Sequence, residues 1–125
     1  MEYLGTIIEE SLENRDVLKD VVILSTKISP VTVKHQTPWL KKWTLHKVEI
    51  SEEQAQEIAE EISEALDPDH DWYADYKNDN WHYIIFRNKI FKVPRASKEE
   101  YSIVKRYGIS LGIPEHQVDF SPEID

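Results

Sequence analysis

The stretch Trp72-Tyr73-Ala74-Asp75-Tyr76-Lys77-Asn78-Asp79-Asn80-Trp81-His82-Tyr83-Ile84-Ile85-Phe86-Arg87-Asn88-Lys89-Ile90-Phe91-Lys92-Val93 decides the fold. It is rich in aromatic and β-branched residues and is interrupted twice by short polar pairs, the composition of strands joined by tight turns. Residues 72–77, 81–86 and 89–93 are predicted to form a three-stranded β-meander, with Asn78-Asp79 and Arg87-Asn88 as its turns. From His82 to Phe86 the middle strand is apolar on both faces, which places it inside a sheet.

Working backwards, residues 52–66 read as a helix. Ala55, Ile58, Ala59, Ile62, Ala65 and Leu66 recur at helical spacing, and glutamates cover the rest of the surface. Ser51 and Gln54 have the form of a capping box, and Asp67-Pro68 ends the helix. Further upstream, residues 3–9, 20–28 and 43–50 read as strands. The last alternates: Thr44, His46, Val48 and Ile50 share one face, and Trp43, Leu45 and Lys47 the other. Residues 29–42 form a long connection punctuated by Pro30 and Pro38, within which Val31-Thr32-Val33 reads as extended.

Working forwards, Ser97 and Glu100 form a second capping box. It opens a helix through about Tyr107, with Gly108 at its C′ position. Residues 109–125 read as an extended arm anchored by Ile113, Val118 and Phe120. Strands come in sets rather than alternating with helices. The expected fold is therefore a single α+β domain, residues 1–125, with an antiparallel sheet of about five to six strands and two helices in the order β-β-β-α-β-β-β-α.

A chain of 125 residues with 40% apolar and 31% charged residues is sized and composed for one globular core. It contains no cysteine, which excludes disulfides, thiolate metal sites and cysteine nucleophiles. No apolar run approaches the ~20 residues that cross a bilayer, and Met1-Glu2-Tyr3-Leu4 has neither the basic flank nor the apolar stretch of a signal peptide. The expected setting is cytoplasmic, with no membrane partner and no cofactor.

The net charge of −9 argues against wholesale binding to duplex nucleic acid. That charge is unevenly spread. Between Val21 and Val48 there is no acidic residue, but there are Lys27, Lys34, Lys41, Lys42 and Lys47, with His35 and His46 beside them.

Candidate sites follow from this asymmetry and from the polar residues of the meander. The basic, aromatic connection 34–43 holds His35, Trp39, Lys41, Lys42 and Trp43. A binding reading makes it a patch for an anionic ligand, a single-stranded nucleic acid or an acidic partner, with Trp39 stacking and the lysines pairing. The bland reading buries both tryptophans and leaves the lysines to complement the protein's own acidic helix.

Asp67, Asp69 and Asp71, continued by Tyr73, Asp75 and Asn78, match the spacing of a calcium-binding loop. However, Trp72 stands where the loop needs glycine, and Asn78 stands where it needs a bidentate glutamate. A solvated helix-exit loop is the simpler reading. A two-residue Asn78-Asp79 turn would set Asp75 directly across from His82, with Tyr73 on the same face. That gives either a minimal acid–base pair or an ordinary cross-strand contact. The same register puts Trp72, Tyr76, Trp81 and Tyr83 on one face, as core or as an aromatic platform. No nucleophile elbow, zinc-type histidine spacing or glycine-rich phosphate loop is present.

The leading expectation is a non-enzymatic binding or regulatory module acting through residues 34–43. The rivals are a small enzyme using Asp75, His82 and Tyr73, and an assembly subunit pairing through an exposed edge at residues 3–9.

Thr37-Pro38-Trp39-Leu40, residues 72–79, His82-Tyr83-Ile84-Ile85-Phe86 and residues 107–114 resemble a small, uncharacterised prokaryotic protein family with no assigned activity. The resemblance spans nearly the whole chain and implies one domain in a cytoplasmic setting. It supplies no activity, cofactor or catalytic residue.

Overall fold

The computed structural model describes residues 1–30, 41–70 and 72–113. The strands are β1 (Tyr3–Ile8), β2 (Val22–Pro30), β3 (Lys42–Ile50), β4 (Tyr73–Lys77), β5 (Trp81–Phe86) and β6 (Lys89–Pro94). Helix α1 (Ala55–Ala65) separates β3 from β4, and α2 (Lys98–Ser110) follows β6. Two short 3-10 turns, Glu9–Ser11 and Asp16–Lys19, connect β1 to β2. This is the α+β order expected from the sequence, with a six-stranded antiparallel sheet arranged β2-β3-β1-β4-β5-β6. No helix among the described residues is long and apolar enough to cross a membrane.

Each helix takes one face of the sheet. The apolar stripe of α1 packs on Tyr3, Ile7, Val48, Ile50, Tyr76, Tyr83 and Ile85, all on one side of the sheet. On the other side, Tyr101 and Val104 of α2 pack on Ile84, Phe86 and Val93. Strand β5 is apolar on both faces because both faces are covered. The α1 stripe is built from small residues at Ala55 and Ala59, which let a cluster of three tyrosines fit beneath it. Tyr3, Tyr76 and Tyr83 have ring centroids 5.2–5.6 Å apart, and the Tyr76 hydroxyl donates to the Ala55 carbonyl.

Strand β1 lies inside the sheet, between β3 and β4, and is not an edge. Its Gly5 stands directly opposite Tyr76, and a Cβ there would come 2.2 Å from the Asp75 carbonyl oxygen and 2.6 Å from the Tyr76 Cβ. Glycine lets the two strands close at that point. The edge strands are β2 and β6, and β2 is the more exposed of the two. Among the described strands β2 pairs only with β3; it carries a register shift between Ile23 and Ser25 and is exposed along nearly its whole length. Helix α2 covers the β4–β6 half of its face, whereas among the described residues no helix lies on the opposite half, over β1, β3 and β2.

Local differences from expectation have local causes. Asn78 donates its backbone N–H to the Trp81 carbonyl (3.0 Å). Its side-chain oxygen accepts from the N–H groups of Asn80 (2.9 Å) and Trp81 (2.8 Å). The tip of the β4–β5 hairpin is therefore Asp79-Asn80, one residue later than predicted. At the N-terminus of α1, the Ser51 hydroxyl donates to the Gln54 side chain (3.1 Å). Gln54 turns back onto Ser51 through its backbone (3.1 Å). The helix thus starts at Ala55 with no side-chain cap. The second cap forms as expected, with Ser97 Oγ accepting from the Glu100 N–H at 3.2 Å. Helix α2 then runs through Gly108 to Ser110, and the left-handed glycine is Gly112 (φ 97°). Tyr107, Leu111 and Ile113 pack against the Ile84–Phe86 cluster and hold the extra turn in place. Val118 and Phe120 of the expected arm, and the extended stretch at residues 31–33, lie outside the described residues.

Candidate functional site

Because side chains alternate across a strand, the face that carries α2 at one end can be read as rows running across the sheet. One row is Val22, Glu49, Leu4, Lys77 and His82. The next is Ser25, Lys47, Thr6, Asp75 and Ile84. Leu4, Thr6, Lys47, Asp75, Lys77 and Arg95 line an open groove of about 930 Å³ on this surface, where the bare half-face meets the β4–β5 hairpin.

Asp75 and His82 meet at the wall of this groove. The one-residue displacement of the turn shifts the register by two. Asp75 therefore pairs with Ile84 and Lys77 pairs with His82. A shift of two keeps every side chain on its expected face, so the acid and the histidine become diagonal neighbours rather than directly opposed ones. Asp75 Oδ2 lies 2.6 Å from His82 Nε2, and His82 Nδ1 lies 3.0 Å from the Tyr101 hydroxyl. Burial raises the phenol pKa of Tyr101, against the pull of the Arg95 guanidinium beside it. An ionised carboxylate can only accept, so the Nε2 hydrogen goes to Asp75, and the Tyr101 hydroxyl meets Nδ1 on the other side of the ring. Arg95 also donates to the Asn78 carbonyl (2.9 Å) and so ties the hairpin tip to this chain of contacts.

The group that faces the groove is Asp75, one-third exposed, whereas the His82 side chain is 5% exposed behind it. A general acid or base must reach the proton that it moves. In this orientation the imidazole positions the carboxylate and braces the hairpin against α2. Tyr73, the third expected catalytic candidate, is instead packed on Phe86 with ring centroids 5.8 Å apart. Burial, then the Asp75 charge, pushes its phenol above the ordinary range.

Searches against protein-family models, curated proteins and solved structures returned no match.

A second histidine site lies on the α1 face, and it was not anticipated. His46 is 7% exposed. Its Nδ1 is 2.9 Å from Thr26 Oγ1 and its Nε2 is 3.1 Å from Glu9 Oε1. Beside it, Glu10 accepts from both the backbone N–H (2.5 Å) and the hydroxyl (2.8 Å) of Thr44. Burial opposes ionisation of Glu10, but these two donors outweigh it and hold the carboxyl below its ordinary pKa. A hydroxyl, an imidazole and a carboxylate in sequence can in principle activate a nucleophile. Here Thr26 and His46 are directly opposed cross-strand partners, and the open groove is on the other face. The only sequence signal for this site was His46 on the buried side of the β3 alternation.

The remaining candidates separate. Trp72, Tyr76, Trp81 and Tyr83 do share one face, and α1 covers it. Asp67 spends its carboxylate locally, accepting from the Asp69 N–H and contacting His70 Nδ1, each at 2.8 Å. Burial raises the Asp67 pKa, and the His70 and Asp69 hydrogen bonds overcome it to lower the value. Tyr73 and Asp75 of the calcium-loop spacing lie in strand β4, which cannot wrap a cation. Asp71 is outside the described residues, among which no group of three metal-ligating side chains gathers. Of the basic connection, Lys41 and Lys42 are exposed at the start of β3, and Trp43 is half-buried against Trp72 with ring centroids 5.5 Å apart. His35 and Trp39 lie outside the described residues.

Proposed function

We propose that the protein is a non-enzymatic binding module whose partner, an anionic ligand or an acidic polypeptide, docks on the basic β2–β3 hairpin. One observation carries this reading. The segment without acidic residues forms the outermost two strands of the sheet, and Lys27, Lys41, Lys42 and Lys47 are all exposed there. Lys27 and Lys47 stand on the half-face that α2 leaves bare. A local excess of one sign on an otherwise acidic protein steers an oppositely charged partner to one place on the surface. The reading is also supported by the enclosed position of His82 and by the mutual satisfaction of Thr26, His46 and Glu9, which leave neither histidine facing the groove.

The test is fluorescence anisotropy with a labelled polyglutamate peptide at two salt concentrations. Binding should weaken with salt. Lys41→Glu combined with Lys42→Glu should abolish it while moving the melting temperature by no more than a few degrees. Salt-independent binding, or binding that survives the charge reversal, would refute the proposal.

A further inference from the structure

We infer that the partner is an extended polypeptide alternating acidic and apolar residues, and that it adds to the sheet as a seventh strand alongside β2. This rests on the binding-module reading and specifies how and what the module binds.

Strand β2 is nine residues long and, among the described residues, has no strand on its outer side. Which of its backbone groups point outward follows from two independent features. In an antiparallel pair, opposed residues alternate between exchanging both hydrogen bonds and exchanging none. The Thr44 N–H is taken by Glu10, which follows β1 on the far side of β3, so it does not point at β2. Thr44 and its partner Ile28 are thus a non-exchanging pair, and by alternation so are His46 and Thr26. The N–H and C=O groups of Thr26 and Ile28 accordingly face outward. Pro30, opposite Lys42, falls in the same series. A proline, which has no N–H, is tolerated within a strand where that position faces away from the neighbour.

The side chains then dictate the chemistry of the incoming strand. On the α1 face β2 presents Ile23 (42% exposed) and Ile28 (59% exposed). On the other face it presents Ser25 and Lys27, with Lys47 directly behind Ser25. Val22 shares that second face before the bulge, and Thr26 the first face after it. Beyond the bulge, a strand laid alongside meets Ile28 on one face and the ammonium groups of Lys27 and Lys47 on the other, and it must alternate with a period of two.

The same features argue against a second copy as the occupant. Lysine, a bulge and a terminal proline are common guards of exposed edges. An antiparallel β2–β2 pairing centred on Lys27 brings two ammonium groups together with no acidic residue on either strand. An acidic strand satisfies those lysines.

The experiment is an amide-detected NMR titration of the full chain with a blocked nonapeptide of alternating glutamate and valine, next to the same peptide with lysine for glutamate. The expected result is binding of the glutamate peptide alone, with the Thr26 and Ile28 amides becoming protected from exchange. Ile28→Pro, which removes an outward donor and no bond to β3, should weaken binding at least tenfold. Because protection is read on the unmutated protein, the inference is testable even if the proline variant fails to fold. Binding that leaves Thr26 and Ile28 unprotected but is lost in Lys27→Glu with Lys47→Glu overturns strand addition and leaves the binding-module reading standing. Equal binding of the lysine peptide overturns the acidic partner. No binding of either peptide overturns the inference, and polyglutamate binding then decides the broader reading separately. Dimerisation blocked by Ile28→Pro gives the edge to a second copy and overturns it too.

Discussion

Gly5→Ala tests the centre of the sheet. The added methyl would sit 2.2 Å from the Asp75 carbonyl oxygen, more than an ångström inside ordinary contact, and 2.6 Å from the Tyr76 Cβ. Neither neighbour is a flexible tip: one is backbone, and the other belongs to a fully buried tyrosine under α1. The strands must therefore part at Gly5–Tyr76, in a ladder with only three registered pairs. Overpacking of this kind costs about 1–3 kcal/mol, and loss of one backbone hydrogen bond costs about 1 kcal/mol more. The sum of roughly 2–4 kcal/mol is a large share of the ~5–15 kcal/mol that stabilises a typical domain. Urea unfolding followed by circular dichroism should show the midpoint falling with little change in slope, and the melting temperature should drop by roughly 8–20 °C. Thr6→Ala, next door on the exposed face, should move neither by much. A Gly5→Ala protein within about 2 °C of the parent would refute the close approach of β1 and β4, and with it the sheet order.

Two further outcomes probe the polar contacts. Tyr101→Phe keeps the ring but removes the hydroxyl that meets buried His82 Nδ1, so it should destabilise by about 1–3 kcal/mol in urea unfolding. A loss under about 0.5 kcal/mol would mean that the Tyr101–His82 contact is not a bracing one. Glu10 is an acid whose folded pKa is depressed, so its stabilising contribution is present above the ordinary carboxylate value of 4.5 and is lost as pH falls through the lower folded value. Glu10→Gln should therefore be less stable than the parent at pH 7, with the gap closing as both are acidified. A gap that is constant with pH would refute the Thr44–Glu10 assignment.

Local pattern carried the elements well, since periodicity depends on neighbours in the chain. The stripe from Ala55 to Leu66 is buried residue for residue, and the doubly apolar β5 is covered twice. What the pattern could not carry was the lateral order of strands. Tyr3–Ile8 and Val22–Pro30 are both apolar runs, and nothing in either says which will be flanked on two sides. The clue was Gly5, whose missing side chain is intelligible only once Tyr76 is opposite. Turn position was ambiguous for a related reason: Asn78, Asp79 and Asn80 are all good turn residues. The choice was made by Asn78 reaching forward to two backbone N–H groups. The faces of Asp75 and His82 survived that error because it changed the register by an even number. Tyr101 was invisible as their partner, since it arrives from a helix that packs on the sheet from later in the chain.

The place of β1 has a consequence for how the molecule is made. Strands β2 and β3 form a hairpin, and β4, β5 and β6 form a meander, each from contacts close in sequence. These two local pieces share no strand pairing with one another; β1 joins both. Tyr3 meets Ile50, 47 residues on, and Leu4 meets Lys77, 73 residues on. Long-range pairings of this kind slow folding, because the loop must close before any contact rewards it. Among the strands, β1 is the first to leave the ribosome, and it cannot be seated on both sides until β4 has emerged. The seam of the sheet is thus laid down before the other strands and sewn only once the fourth has emerged.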